Sequence, residues 1–527
     1  MSGSLCDVDA TTTPSQVTSK RSLWLVMSAL MTCLLLSALD QTIVSTALPT
    51  IVGDLGGLDH ISWVVTSYLL SSTVSVPLFG KISDLYGRKP MLQITIVVFL
   101  VGSVCAGLAQ NMLQLILARG LQGVGGGGIL AMTFTVLGDI MSPRERSRYT
   151  GFFTAVFASA SVIGPLAGGF FVDNLSWRWV FYVNLPLGVL CMFVVGRYLL
   201  VPAPAERRTI DLVGAALLTI GVTSLLLAAA WGGQDHAWGS PPILMLIAGG
   251  ATVIAVFILY ERRHPEPILP LRMFRDRVFT VCVAMAALLS AVLFAAATFL
   301  PLYLQVVKEA SATSSGLLLV PMMAGVVVGS NACAPIISRT GRYKIFPVIG
   351  VAVAIVGIAL LTRIDVDTSR ATISVGMGIL GLGIGTGMPI VTLAVQNTAA
   401  PEDMGAATSG VNFFRSLGGA FGVAVFGTIM STRLTSTLDE RFPGTNLIDN
   451  DELLSSPERI RALPVEQFDA VADGVASGVS TVFVVALPLI VLAWVLAIVL
   501  EDVPLRGEFD VRASMVEGLE EADAHAQ

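Results

Sequence analysis

From Leu23 to Leu500 the chain returns repeatedly to long apolar runs, each enough to cross a hydrocarbon core of ~30 Å as a helix of roughly 20 residues. In such a core the backbone N–H and C=O groups must be satisfied within the segment itself, so helices are what these runs can form there. Composition agrees. Of 527 residues, 54% are hydrophobic and only 13% charged, against about 25% charged in soluble chains. Mean hydropathy is +0.79. The fold class that follows is an all-α polytopic membrane protein.

Breakers between the runs delimit fourteen spans, at 23–47, 61–83, 90–109, 112–138, 149–172, 178–199, 211–231, 243–260, 278–305, 315–338, 345–362, 372–397, 404–432 and 476–500. An even number puts both termini on one side. With the amino terminus inside, the inner segments hold 21 lysines and arginines and the outer loops 8, so both termini are expected in the cytoplasm, with the chain in the plasma or inner membrane. Lys20 and Arg21 ahead of "SLWLVMSALMTCLLLSAL" imitate a secretory signal, but Asp40 and the run on to Pro49 argue for a retained first helix. "GSLC" at 3–6 imitates a lipoprotein box without the apolar region that should precede it.

"GKISDLYGRK" at 80–89 returns in weakened form as "APIISRTGRYK" at 334–344, with Gly87 and Arg88 matching Gly341 and Arg342. The two copies stand eight spans apart, which is a six-helix half plus two further helices. The expected organisation is therefore two pseudo-symmetric six-helix halves at 23–199 and 278–500, joined by residues 200–277, which hold two extra helices and a cytoplasmic loop. A cytoplasmic tail covers 1–22. An outer loop at 433–474 has nine acids against four arginines, and a cytoplasmic tail at 501–527 has eight acids against two, both read as solvated surface.

"LARGLQGVGGGGIL" at 117–130 contains the spacing Gly123, Gly125, Gly128 of a phosphate cradle. That fingerprint needs a preceding strand and a helix in water, and here it falls inside the fourth span, so the nucleotide reading fails. Gly123 and Gly127 instead form a GxxxG face for close helix approach. Arg119 and Gln122 lie one turn apart beside it. Arg119 is seven residues, roughly 10 Å, from the outer start of its span, and Asp40 is the only carboxylate well inside any span, at a similar depth. A buried arginine usually faces a bundle interior or an aqueous cavity. The two residues are expected to face each other across the cavity.

The four histidines lie in loops or tails, which leaves Asp40 as the candidate proton carrier. A changing separation from Arg119 would switch its affinity for a proton; a purely structural hydrogen bond between helices is the competing reading. Five of six cysteines fall in apolar runs, with no CxxC spacing, so neither a metal site nor a disulfide framework is expected. In "SVIGPLAGG" at 161–169, Pro165 removes a backbone donor while Gly164 and Gly168 permit close packing, which suggests a hinge or gate.

With these residues in view the sequence resembles the major facilitator superfamily, specifically its fourteen-helix drug/proton antiporter branch, over nearly the whole chain. The superfamily's loop motif looks like Gly80, Asp84, Gly87, Arg88 and Lys89, its fourth-helix motif like Arg119, Gln122, Gly123 and Gly125, and its antiporter motif like Gly164, Pro165, Gly168 and Gly169. More specific to the branch are "LDQTIVSTALP" at 39–49, "WRWVFYVNLPLG" at 177–188, "PEPILPLRMFRDR" at 265–277 and "NFFRSLGGAFG" at 412–422, which carries Arg415. The resemblance implies a proton-driven exporter working by alternating access, with Asp84, Arg88 and Asp139 in a latch at the inner end. In the second copy Ala334 and Ser338 replace the glycine and the aspartate, which puts a matching latch there in doubt. Arg415 matches the branch pattern without a role.

The implied activity is efflux of lipophilic compounds or drugs, by a protein that is not an enzyme. A dedicated exporter of a metabolite or lipid, a proton-coupled uptake carrier and a non-transporting receptor stand as alternatives. No cofactor is expected beyond the proton gradient. The expected partners are the bilayer, small lipophilic substrates and protons, with no nucleic acid, in a monomer. Partial engagement of Asp40 by Arg119 leads to an expected preference for neutral lipophiles and monovalent cations over dications.

Overall fold

The computed structural model describes residues 20–55, 61–141, 143–199, 211–232, 236–265, 267–310, 317–400, 403–442 and 463–505. The lipoprotein-like box, most of both tails and the middle of the acidic loop lie outside these residues.

The helices in order are α1 (Lys20–Leu55), α2 (Ile61–Tyr86), α3 (Arg88–Gly107), α4 (Met112–Ile140), α5 (Pro143–Asn174), a short α6 (Trp179–Tyr182), α7 (Asn184–Tyr198), α8 (Leu212–Trp231), α9 (Pro241–Glu261), α10 (Arg277–Val306), α11 (Val320–Thr340), α12 (Ile345–Leu361), α13 (Arg370–Thr398), α14 (Met404–Arg441) and α15 (Val465–Val499). Among the described residues twelve spans are long and apolar enough to cross a membrane, α6 and α7 counting as one. The long helix α5 opens on the charged stretch "PRERSR", and α12 has 17 residues. Gly232 and His236 form an isolated bridge, and the described residues form no strand. The first apolar run folds as part of the bundle, against α5 and α7.

Glycines set the helix pairings. A Cβ on Gly125 would overlap the backbone of Phe99 in α3, and one on Gly127 the backbone of Ser72 in α2, so α4 is wedged between those two helices. In the same way α13 lies between α11 and α12, with Gly385 against Val326 and Gly383 against Ala354. On its other face α4 presents Leu113, Leu117 and Leu121, exposed at four-residue intervals, the pattern of a helix with one face in lipid and one in the bundle. Gly87 and Gly341, the corresponding glycines of the two sequence copies, are the described glycines with positive φ, at 93° and 68°. No side chain with a Cβ adopts that backbone readily, which explains why each copy needs glycine there.

Helix ends depart from the sequence expectation at one rim. The fourteenth span starts at Val465 rather than 476, and α14 runs on to Arg441 rather than 432, so both flanks of the expected 433–474 loop are helical. Counting apolar residues stops at the first charges, whereas a helix held by a neighbour continues past the hydrocarbon. Here Arg441 and Asp473 form an ion pair between the two projecting ends.

Candidate functional site

Asp40 of α1 is wholly buried, as are Arg119 and Gln122 of α4, Ser103 of α3 and Asn184 at the start of α7. Arg119 Nη1 donates to Asp40 Oδ2 at 2.5 Å and to Gln122 Oε1 at 2.6 Å. Gln122 Nε2 donates to Asp40 Oδ1 at 2.7 Å and to Ser103 Oγ at 2.7 Å. Asn184 Nδ2 donates to Asp40 Oδ1 at 3.0 Å. Residues of four helices thus form one network around the carboxylate, with α4 and α7 donating to it directly and Ser103 of α3 bound to the Gln122 and Asn184 amides. Arg119 also donates from Nε to the Val64 carbonyl at 3.3 Å and stacks on Tyr68, its guanidinium carbon 4.3 Å from the ring centroid. The tyrosine is held in turn by a 3.1 Å contact with Ser37 Oγ.

This geometry corrects one expectation. Asp40 and Arg119 do not face each other across an open cavity; they are in direct contact within the first group of helices. The physical reason is that a carboxylate and a guanidinium removed from water need each other and further hydrogen bonds, and Gln122 and Asn184 supply those to Asp40. Gly123 permits the arrangement, since a Cβ there would meet the Tyr68 backbone on α2.

The helix carrying the GP motif packs on the same part of α1. A Cβ on Gly164 would overlap the side chain of Thr42, and one on Gly168 would meet the Ile43 carbonyl at 3.0 Å, whereas nothing lies within 4 Å of the same position on Gly169. Thr42 Oγ1 donates to the Ala160 carbonyl at 3.0 Å. Pro165 stands within α5. The motif therefore divides: two of its glycines press α5 onto the turn after Asp40, and the last faces open space.

At the far end of α2, Arg88 pairs with Asp84, and its Nε donates to Asp139 Oδ2 at 2.6 Å while Nη1 donates to Ser83 Oγ at 2.6 Å. Lys89 is not part of this carboxylate cluster; its ammonium donates to the Gly196 carbonyl of α7 at 2.7 Å. The cluster reaches across to α14. A Cβ on Gly80 would overlap Ser409, and one on Gly405 would meet the Asp84 carboxylate, with Cγ at 2.7 Å. Gly405 lies in the first turn of a 38-residue helix, where N–H groups are free and negative charge is favoured. In the second copy Tyr343 is buried and the Leu505 N–H donates to the Gly341 carbonyl at 3.2 Å. Packing by the chain after α15 thus occupies the place corresponding to the first copy's ion cluster.

The opposite rim carries a second clasp. Trp177 Nε1 donates to Asp54 Oδ2 at 2.8 Å, and Arg178 Nη1 reaches the same oxygen at 3.1 Å. The indole N–H, and then the guanidinium, hold the Asp54 carboxyl below the usual carboxylate range.

Arg415 approaches none of these clusters. Its guanidinium carbon is 5.4 Å from the centroid of Phe134 in α4.

Sequence reasoning did not assign Asn184, Ser103, Tyr68 or Trp177. Trp177 and Asn184 stood inside "WRWVFYVNLPLG", where the backbone stays helical at Val183, with φ -59° and ψ -24°, and Asn184 at the start of α7 meets the carboxylate. Also unassigned were Asp211, which caps α8 by accepting from the Gly214 N–H at 2.8 Å, and Glu261, which accepts from the Ile268 N–H at 3.1 Å. An aspartate immediately before an apolar run was the available signal for the first.

Comparison with known proteins places this arrangement. The family model for the Major Facilitator Superfamily matches residues 30–423. Multidrug transporter protein MdtP of Bacillus subtilis (strain 168) is 41% identical over 423 residues, 80% of this chain and 78% of its own. Multidrug resistance protein 3 of the same organism is 35% identical over 493 residues, covering 92% and 95%. Among solved structures, a bacterial homolog to the human lysosomal transporter Spinster, inward-facing and unoccupied, matches with a TM-score of 0.55 at 16% identity, over 92% of this chain and 97% of that one; this likeness concerns the fold alone.

Proposed function

The chain belongs to the Major Facilitator Superfamily and is a multi-pass membrane transporter rather than an enzyme, and from that premise we propose that it exports lipophilic compounds, drugs among them, in exchange for protons. The observation that carries the reading is the buried Asp40 carboxylate with Arg119, Gln122 and Asn184 on it. A proton arriving at Asp40 removes the charge that Arg119 compensates and loosens the tie between α1 and α4. Because α5 is pressed on the next turn of α1 through Gly164 and Thr42, that change reaches the helix that carries the GP motif.

The latch supplies the other half of the cycle. We assign the end bearing Arg88 to the cytoplasm, from the lysine and arginine bias of the loops. Contacts of α2 with the start of α14, and of Gln396 Nε2 with the Phe134 carbonyl at 3.4 Å, hold the halves together there, a closed inner side. Release of Asp84 from Gly405 opens it. On this reading all fourteen helical segments cross the membrane: α5 is 32 residues long, and α12 spans roughly 25 Å. The matched wedges, α4 between α2 and α3 and α13 between α11 and α12, support two related halves with α8 and α9 inserted between them. Both termini then lie in the cytoplasm of the cell membrane. The transporter works as a monomer on small lipophilic substrates, with the proton gradient as its energy source and with no cofactor or nucleic acid.

Everted membrane vesicles with a pH-sensitive dye, challenged with a panel of lipophilic compounds, test this. Compound-dependent proton efflux from acid-loaded vesicles supports antiport. Compound movement that is indifferent to collapse of the gradient contradicts it.

A further inference from the structure

Three charged side chains lie deep in the spans of the two halves: Asp40, Arg119 and Arg415. The first two neutralise each other in direct contact. In the second half, the spans between 278 and 499 contain no other Asp, Glu, Lys or Arg away from their ends, so the interior carries one uncompensated positive charge. Arg415 lies 11 residues into α14, roughly 16 Å from the latch end.

Among the described residues no carboxylate pairs with it. Its contact is the ring of Phe134 across the boundary between the halves, and the side chain is partly exposed. A ring face compensates a cation only in part. Two turns closer to the latch, Thr408 accepts from Gln396 Nε2 at 3.0 Å, and the same amide reaches the Phe134 carbonyl at 3.4 Å, sealing the halves below the guanidinium. Phe134 itself lies 6.0 Å from Phe153, and Phe413 and Phe414, just before Arg415 in the chain, lie 5.2 Å apart, with Phe274 6.0 Å from Phe414.

We propose that Arg415 is the anion-binding element of the substrate site, taking the carboxylate or sulfonate of a lipophilic compound whose apolar body lies against the Phe134 ring. A charge at this depth is costly unless it is paired, and a bound anion is the partner the fold leaves to be supplied. The planar guanidinium suits a two-oxygen acid group. This rests on the exporter reading for its meaning, and it departs from the preference for monovalent cations expected from sequence. That expectation needed a partly free carboxylate at Asp40, and the Asp40 carboxylate is wholly engaged.

The test is equilibrium binding to the purified full-length protein in nanodiscs, with no gradient, using tritiated anthracene-9-carboxylate and its uncharged carboxamide. The parent is expected to bind the acid at least about tenfold more tightly than the amide, the scale of a charge-assisted hydrogen bond, and R415Q to abolish that preference while R415K keeps it. A parent without preference for the acid, an R415Q that retains it, or an R415K that loses it while still binding the amide overturns the proposal. If R415Q binds neither probe, the parent and R415K comparisons decide. The exporter reading fails separately: acid preference at Arg415 without gradient-driven export in vesicles refutes that reading and leaves the anion site standing.

Discussion

Gly164 of α5 rests on the side chain of Thr42, two residues past Asp40 on α1, closely enough that a Cβ at position 164 would overlap it. The helix with the GP motif is therefore mechanically next to the buried carboxylate. Gly164→Val is expected to force α5 off α1 at a cost of about 1–3 kcal/mol and to abolish export while the protein still reaches the membrane. Gly169→Ala, with nothing within 4 Å of its new methyl, is expected to transport like the parent. Vesicle export normalised to protein level checks both, and equal loss in the two variants contradicts the assignment.

The Asp84 carboxylate at the end of α2 lies close against Gly405 in the first turn of α14, and in the proposed cycle this contact ties the two together. Asp84→Ala removes that charge from the helix start and one partner from Arg88, and is expected to shift the population toward the inward-open state. Cysteine labelling of a probe site at the inner face, in a background lacking native cysteines, should rise in the variant with substrate binding retained. Unchanged labelling contradicts the latch.

Asp54 offers a contrast in pH behaviour. With its carboxyl held below the usual carboxylate range by Trp177 and Arg178, the clasp is fully formed at neutral pH and is lost only as pH falls through that lowered value. Asp54→Asn is therefore expected to leave the pH profile of transport unchanged across the neutral range. A shifted profile would assign proton handling to this rim.

Much of this was legible in the sequence because lipid is a strict solvent: the apolar runs, the lone deep carboxylate and the deep Arg119 each stand out against it. The similar depth of Asp40 and Arg119 was legible, but their direct contact was not, since depth alone placed them across a cavity. The supporting residues were not legible either. Nothing in the sequence marks which face of the helix through Val183 turns Asn184 to Asp40, and Ser103 differs from an ordinary packing serine only by the Gln122 and Asn184 amides that find it. The helical ends beyond 432 and before 476 were hidden for a related reason, since α14 and α15 continue in contact beyond the apolar stretch that marks a span.

The central claim is that Asp40 is the proton carrier, and proton movement coupled to compound movement tests it most directly. Purified parent protein and Asp40→Asn, reconstituted in liposomes with a pH-sensitive dye inside, are given a compound that the vesicle panel identifies as exported. The carboxamide keeps the shape and polarity of the side chain but has no proton to exchange. The account predicts compound-driven proton movement with the parent and none with Asp40→Asn, although the variant binds the compound. Equal proton movement by a correctly folded Asp40→Asn would contradict it and place the exchanging proton elsewhere.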